Sequence, residues 1–127
     1  MSRVVLDASA ILAAANSEPG ADVVLAHVHE AAVSTVNLSE AQAKLVQRGL
    51  PGDDAWEVAL SFCNEVISFD SEQARLAGSM IGTTRALGLS LGDRACLALA
   101  TLLEVPVLTT DRQWKKLRLD VEVRFLR

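Results

Sequence analysis

Near its amino terminus the sequence reads Val4-Val5-Leu6-Asp7-Ala8-Ser9, a short apolar run that ends at a carboxylate. Continuous apolar runs rich in β-branched residues are typical of strands that are buried on both faces of a parallel sheet. The small and apolar residues that follow, up to Ala14, favour a helix. The order of strand, acid and helix predicts the first unit of an α/β fold, with Asp7 at the carboxyl end of its strand.

The alternation of strand and helix continues along the chain. Further strands are predicted at 32–36, 65–69 and 107–109, and helices at 21–30, 38–48, 53–63, 71–87 and 91–103. The last strand differs, because Val121, Val123 and Phe125 alternate with charged residues, which is typical of a strand near the edge of a sheet. Strands that are separated by helices connect through right-handed crossovers. The sequence therefore predicts a three-layer α/β/α sandwich around a mainly parallel sheet.

The length of the chain is that of one globular domain, which we expect to span residues 1–127. No stretch approaches the roughly 18 consecutive apolar residues that a membrane span needs. The first residues lack the apolar core of a secretory signal, so we expect a cytoplasmic protein with no membrane partner. Cys63 and Cys96 lie in helix-like apolar runs and have no CxxC partner, which indicates reduced thiols.

The net charge of the chain is −4, from 12 basic and 16 acidic side chains. This balance argues against a protein that holds nucleic acid through a broad positive field. It does not exclude a nuclease, because carboxylates that bind a divalent cation add to the negative count. A local basic group follows Asp111, and the simplest interpretation of it is a solvated helix face. Its members are Arg112, Lys115, Lys116 and Arg118.

Four acidic side chains stand where predicted helices begin. Asp7 and Asp111 each follow a strand directly, Glu40 comes soon after the strand 32–36, and Asp93 lies in the first turn of the helix 91–103. In an open parallel sheet these positions share one edge, beyond the carboxyl ends of the strands, where ligands bind. All four acids are therefore candidates for a single site.

Each acid also fits a purely structural role at a helix start. The pairs Asn37-x-x-Glu40 and Ser90-x-x-Asp93 resemble capping boxes, and the other two acids are natural N-caps. Asp70 also follows a strand, and we assign it capping alone. A position at a helix start is therefore weak evidence for function when each acid is considered by itself.

Taken together, four carboxylates at one sheet edge indicate a divalent cation. Mg²⁺ and Mn²⁺ prefer oxygen ligands, so carboxylates from separate elements suit them. Without a cation, close carboxylates raise one another's pKa, a cost that is usually tolerated at functional sites. A bound cation could acidify an attacking water and polarise a phosphoryl oxygen. The set predicts metal-dependent hydrolysis of a phosphodiester.

The residues around the four acids resemble the successive motifs of PIN domains and, more narrowly, of the VapC toxins of toxin–antitoxin pairs. The resemblance follows the chain in order over nearly its whole length. It is carried by VVLDAS at 4–9, VNLSE at 36–40, LSLGDRACLALA at 89–100 and VLTTDR at 107–112. One such motif would be weak evidence for the family, whereas four motifs in the same order along the chain are specific to it.

This resemblance implies an endoribonuclease that depends on Mg²⁺ or Mn²⁺ and acts as the toxin of a type II pair. The catalytic and metal-binding residues that it implies are Asp7, Glu40, Asp93 and Asp111. Supporting positions are implied at Ser9, Thr109, Arg94 and Arg112. The resemblance also implies a homodimer, an RNA substrate and a cognate antitoxin that enters the catalytic groove.

Other classes of protein fit the sequence less well. A phosphoacceptor receiver domain has a similar length and acids at strand ends, and such domains resemble one another in a second acid near the first strand and a lysine after the last parallel strand. Here Asp7 has no acidic neighbour and Thr109-Thr110-Asp111 stands in the place of that lysine. A PIN-like interaction module without catalysis would not need all four acids. His27 and His29 are two positions apart on a predicted helix and do not share a face, which argues against zinc.

The supply of aromatic side chains for stacking on RNA bases is small. The sequence has no tyrosine, two tryptophans and three phenylalanines. All five fit a hydrophobic core as well as a stacking platform, and Trp114, beside the basic group, is the candidate for contact with RNA.

Overall fold

The central sheet of the computed structural model, which describes residues 2–127, has five strands. They are β1 (Val4–Leu6), β2 (Ala31–Ser34), β3 (Glu65–Ile67), β4 (Val107–Thr109) and β5 (Val123–Phe125). Their order is β3-β2-β1-β4-β5, and all four neighbouring pairs are parallel. The strand order reverses beside β1, and in parallel sheets a ligand site forms at such a switch point.

Helices lie on both faces of this sheet. They are α1 (Ala8–Ala15), α2 (Ala21–Ala26), α3 (Thr35–Gln47), α4 (Gly52–Leu60), α5 (Ser71–Ser79), α6 (Ile81–Thr84) and α7 (Leu91–Leu103). Short 3₁₀ segments occur at Val28–Glu30, Arg85–Leu87 and Arg112–Lys116. Within residues 2–127, no helix is long and apolar enough to cross a membrane.

Neighbouring strand residues point into two separate cores. Val4 and Leu6 belong to the core on the face covered by α1, α3 and α4, whereas Val5 belongs to the core formed with α5, α7 and Trp114. Both faces of β1 are therefore buried, as its uninterrupted apolar sequence requires. The predicted three-layer sandwich is confirmed, and the described sheet is parallel throughout. β5 is an edge strand with half-exposed Val123 and Phe125, also as predicted.

The predicted helix at 71–87 is wrong, because the chain breaks into α5, α6 and a 3₁₀ segment. α5 ends at Ser79, and the Met80 carbonyl then accepts hydrogen bonds from the hydroxyls of Thr83 at 3.2 Å and Thr84 at 2.9 Å. Threonine hydroxyls that bond to nearby carbonyls compete with the regular helical ladder, and Gly78 and Gly82 weaken it further. The predicted helix at 21–30 likewise ends early, at Ala26.

The first helical turn of α3 also differs from the prediction. β2 ends at Ser34, and α3 begins at Thr35 rather than near residue 38. Ser34 is the N-cap, and its hydroxyl accepts a hydrogen bond from the Val36 amide at 3.2 Å. This shift of three residues changes the position of Glu40 in its helix, with consequences for the site.

α7 is the most deeply buried helix, and we expect the burial of its apolar side chains to contribute strongly to the stability of the fold. Leu97 on α7 is completely buried, whereas Leu102 on the same helix is 41% exposed. We expect Leu97→Ala to lower the free energy of unfolding by about 2–5 kcal/mol because it leaves a cavity. The matched change Leu102→Ala should cost less than about 1 kcal/mol. Urea unfolding of both variants measures the difference, and equal losses would contradict this assignment of the core.

Candidate metal centre

Asp7 lies buried at the carboxyl end of β1, where it is also the N-cap of α1. Its Oδ1 accepts hydrogen bonds from the Ser9 hydroxyl at 2.6 Å and from the Ala10 amide at 2.9 Å. Its Oδ2 accepts from the Thr109 hydroxyl, at the end of β4, at 2.5 Å. The two strands at the switch point are therefore joined through one carboxylate.

Burial raises the pKa of Asp7 from 3.8 to about 6. Hydrogen bonds from Ser9, Thr109 and Ala10 oppose this shift, and the negative charge of Asp93 adds to it. Since three donors do not offset the cost of burial, the ionised carboxylate is incompletely stabilised by the protein alone. A strongly perturbed acid without a compensating charge is typical of functional sites.

Glu40 is the sixth residue of α3 and does not form a capping box with Asn37. The sequence-based interpretation of this pair as a helix cap is wrong, because Ser34 occupies the N-cap position. Instead, the Asn37 side chain donates from Nδ2 to Glu40 Oε1 at 3.1 Å. Glu40 therefore has no capping role in the structure, and contacts other than a helix cap hold it near α7.

Asn37 and Gly92 hold Glu40 against the first turn of α7. Asn37 Nδ2 also donates to the Gly92 carbonyl oxygen at 3.0 Å. A Cβ atom on Gly92 would lie 2.6 Å from the Glu40 carboxyl carbon, so only glycine leaves room for this carboxylate. Partial burial raises the pKa of Glu40, and the charge of Asp93 raises it further, while Asn37 and Lys44 lower it.

Asn37 and Gly92 had no assigned role at the site from the sequence. The spacing of Asn37 and Glu40, three positions apart on one helix, was a usable signal for a side-chain pair. The contact with Gly92 crosses 55 positions of sequence and joins helices on opposite faces of the sheet. A pattern among residues close together in the sequence could not predict that contact.

Asp93 lies in the first turn of α7 and forms the predicted capping box with Ser90. The Ser90 amide donates to Asp93 Oδ2 at 2.9 Å, and the Asp93 amide donates to the Ser90 hydroxyl at 3.2 Å. The same carboxylate raises the pKa of both Asp7 and Glu40. Capping and proximity to the other acids are therefore compatible in one side chain.

The buried thiol of Cys96 is affected by the charges of three of the four acids. Burial raises its pKa well above the usual value, and the charges of Asp7, Asp93 and Glu40 raise it further. These carboxylates lie at the end of β1, at the sixth position of α3 and in the first turn of α7, and all three act on the same buried group. Both cysteines are free, as expected from the sequence.

Asp111 is joined to this group through Thr109 rather than by direct coupling. Asp111 caps the 3₁₀ segment Arg112–Lys116, accepting from the Gln113 amide at 2.9 Å. Its own amide donates to the Thr109 hydroxyl at 3.0 Å, and that hydroxyl donates to Asp7. The Ser9 hydroxyl accepts from the Thr110 amide at 3.0 Å. The hydroxyls of Ser9 and Thr109 thus fix the β1 and β4 ends relative to each other.

The two arginines that the sequence singled out form no ion pair with the four acids. Arg94 donates to the Ala77 carbonyl at 3.1 Å, near the carboxyl end of α5, and its Nε is buried without a partner. Arg112 is exposed and donates to the Arg127 carbonyl at 2.9 Å. Of the two interpretations of Trp114, core residue or stacking platform, the structure shows the first, because Trp114 is only 2% exposed and belongs to the core.

A divalent cation fits the donor set at this edge. Within residues 2–127, none of the four carboxylates has a Lys, Arg or His nitrogen within 4.0 Å. The donors are carboxylate and hydroxyl oxygens, which hard cations prefer. No group of three His, Cys, Asp or Glu side chains in this part of the chain is close enough to form a ready-made cage. Such an open arrangement suits a cation that retains several of its own waters, as Mg²⁺ does.

Residues 4–119 match the PIN domain family, so the chain belongs to that family. The resemblance found in the four sequence motifs is confirmed. PIN domain proteins are generally nucleases that use divalent metal ions. No curated protein sequence matches the chain.

Solved structures share the fold at low sequence identity. A toxin–antitoxin complex from Klebsiella pneumoniae contains a chain that is 18% identical, with a TM-score of 0.74 and 98% of each chain covered. A DNA-bound VapBC complex from Salmonella typhimurium gives 16% identity, a TM-score of 0.76 and full coverage of both chains. VapBC2 from Rickettsia felis, bound to a promoter DNA fragment, gives 16% identity and a TM-score of 0.71, with 95% of this chain and 96% of that chain covered.

The raised pKa of Asp7 predicts a pH dependence of stability in the metal-free protein. Between pH 3.8 and about 6 the folded state retains a proton that the unfolded chain has released, so stability falls as pH rises through this window. The loss from this group is on the order of 2–3 kcal/mol. Asp7→Asn keeps an N-cap acceptor and should remove this contribution to the slope. Urea unfolding in chelator from pH 4 to pH 8 tests it.

The matched control for this measurement is Asp70→Asn, which changes an N-cap of the same type that is exposed. This variant should retain the slope of the wild type. An unchanged slope in Asp7→Asn would contradict the assignment of the pH dependence to Asp7.

Proposed function

We propose that this PIN domain is a Mg²⁺- or Mn²⁺-dependent endoribonuclease and the toxin of a toxin–antitoxin pair. The observation that carries the proposal is that Asp7, Glu40 and Asp93 act on one another and on Cys96 as like charges, while none of them forms an ion pair within 4.0 Å in residues 2–127. Asp111 joins the site through Thr109. Carboxylates that are close, partly desolvated and unbalanced favour the binding of a cation, which in turn favours phosphodiester chemistry.

In the proposed mechanism, Asp7, Glu40, Asp93 and Asp111 would hold the cation, which when bound would supply a lower pKa for a water and an offset for charge on the phosphoryl oxygens. Asp7 is oriented by Ser9 and Thr109, so its carboxylate is positioned before any ligand arrives. Glu40 is oriented by Asn37 and Gly92, and Asp93 by Ser90. Positioning of this kind reduces the reorganisation that the reaction would otherwise require. Attack by water leaves 5′-phosphate and 3′-hydroxyl ends and needs no 2′-hydroxyl nucleophile.

The solved structures support the toxin assignment through the kind of complex that they contain. They include toxin–antitoxin complexes from several bacteria, two of them bound to DNA. We propose by analogy that the chain acts in the cytoplasm as a homodimer, and that a cognate antitoxin binds over the acidic edge. A PIN domain that has lost catalysis would share the fold but would have no reason to keep the acids unbalanced.

Neutralising an acid of the site should abolish cleavage without a comparable effect on folding. We expect Asp7→Asn and Glu40→Gln each to reduce cleavage of total RNA, with Mg²⁺ or Mn²⁺ present, by at least about a hundredfold. Asp70→Asn is the matched control, because Asp70 also caps the helix that follows a strand but lies exposed outside the site. Gel analysis of RNA with and without chelator gives the readout. Cleavage that survives both the chelator and Asp7→Asn would refute the metal–carboxylate mechanism.

Gly92→Ala should separate activity from stability. The three atoms nearest to the added methyl group all belong to the Glu40 carboxyl, the mobile end of a side chain, so Glu40 should be displaced while the fold persists. Alanine is also favoured over glycine inside a helix by up to about 1 kcal/mol. We expect cleavage to fall at least tenfold, roughly the effect of misplacing one catalytic group, while the unfolding midpoint stays equal or rises. Gly78→Ala on α5, where a methyl group meets no atom within 4 Å, is the control.

A further inference from the structure

Positive charge is concentrated in the carboxyl-terminal part of this acidic chain. Residues 112–127 carry six of the twelve basic side chains but only two of the sixteen acidic ones, a net charge of +4. Residues 1–111 carry six basic and fourteen acidic side chains, a net charge of −8. The positive segment begins directly after Asp111, so it adjoins one of the acids of the proposed site.

Four of these basic side chains have no acidic partner. Arg124 pairs with Glu122, and Arg127 pairs with Glu18 at 2.9 Å. The remaining four are exposed, and no carboxylate oxygen in residues 2–127 lies within 4.0 Å of their side-chain nitrogens. They form what we call the basic strip: Arg112, Lys115, Lys116 and Arg118.

The backbone of the strip is held firmly against the protein. Trp114, between the basic residues, is buried in the core against the same sheet face as α7. In a 3₁₀ segment, residues three apart lie on one side, and Arg112 and Lys115 accordingly share the ring of Phe125. The Arg112 guanidinium carbon lies 5.3 Å, and Lys115 Nζ 5.7 Å, from the centre of that ring. Such cation–π contacts restrain side chains that would otherwise be mobile in solvent.

The strip also lies beside the loop that leads to Asp93. Its segment Arg112–Lys116 contacts the 3₁₀ segment Arg85–Leu87, which runs through Gly88 to the start of α7. The basic side chains are thus attached to the structure next to both Asp111 and the approach to Asp93. A polyanion bound at the acidic edge would meet them.

We propose that the basic strip binds phosphates of single-stranded RNA beside the scissile phosphodiester, an inference that rests on the proposed ribonuclease function. A cation among the acids can hold one phosphate, but the rest of the protein is strongly negative and repels the neighbouring phosphates. The strip supplies the opposite charge where the strand leaves the site. Contacts of this kind fix affinity and register without reading the base sequence.

The test compares two triple variants with the same change in net charge. One is Lys115→Gln, Lys116→Gln and Arg118→Gln in the strip, and the other is Arg3→Gln, Arg48→Gln and Arg75→Gln at exposed positions elsewhere. Binding of a fluorescein-labelled oligouridine is measured in chelator, where the proposed chemistry is blocked, between about 50 and 200 mM salt. Each lost contact with a single strand lowers the slope of log affinity against log salt by about 0.7, so the strip variant should lose about 2.

Cleavage by the same proteins with Mn²⁺ provides a second readout. The strip variant should lose efficiency mainly through a higher KM, whereas the control triple should match the wild type in both slope and KM. Equal slopes in all three proteins, or an equal loss in both variants, would overturn the strip proposal. Failure of the wild type to cleave RNA would instead overturn the proposed function, and the binding slopes would still decide the strip separately.

All the substituted side chains are exposed, so both triple variants should fold. Thermal unfolding of each confirms that a change in slope does not come from loss of structure. The proposal is supported if the strip variant keeps the wild-type unfolding midpoint and the slope of its log affinity against log salt falls by about 2.

Discussion

The Asp7 carboxylate accepts hydrogen bonds from its own helix and from the neighbouring strand while buried at the end of β1. This arrangement fixes the relative positions of β1, β4 and α1 at the point where the strand order reverses. The same burial raises the pKa of Asp7 to about 6. The carboxylate that links these elements is therefore costly to keep ionised. Glu40 and Asp93 add negative charge around this point, and in residues 2–127 no ion pair within 4.0 Å offsets the cost.

Much of the layout of the fold and of the candidate site could be predicted from the residues at which strands end. The sequence predicted Asp7 and Asp111 at the carboxyl ends of β1 and β4, because an apolar run that stops at an acid marks both positions. Asp93 was also predicted correctly as a capping residue of α7, since its capping box is local. These features depend on residues within a few positions of one another, which is the range over which sequence pattern is informative. Their roles in catalysis remain predictions.

The errors arose where distant contacts or competing hydrogen bonds decide the structure. The capping alternative for Glu40 failed because α3 begins three residues earlier than predicted. Its neighbour Gly92 lies on a helix from the opposite face of the sheet. The helix predicted at 71–87 breaks where Thr83 and Thr84 bond to the Met80 carbonyl. For Trp114 the sequence left a core position and a stacking platform open, and the structure places it in the core beside α7.

The position of the Glu40 carboxylate requires glycine at residue 92, whereas the backbone of α7 does not. Helix α7 would accept alanine there at little cost to its backbone, but the Glu40 carboxylate would lose its place. Under the proposed function, a cell that carries this gene without its antitoxin has a simple genetic escape. One base change at the Gly92 codon, to alanine, would leave a folded protein whose toxicity is greatly reduced.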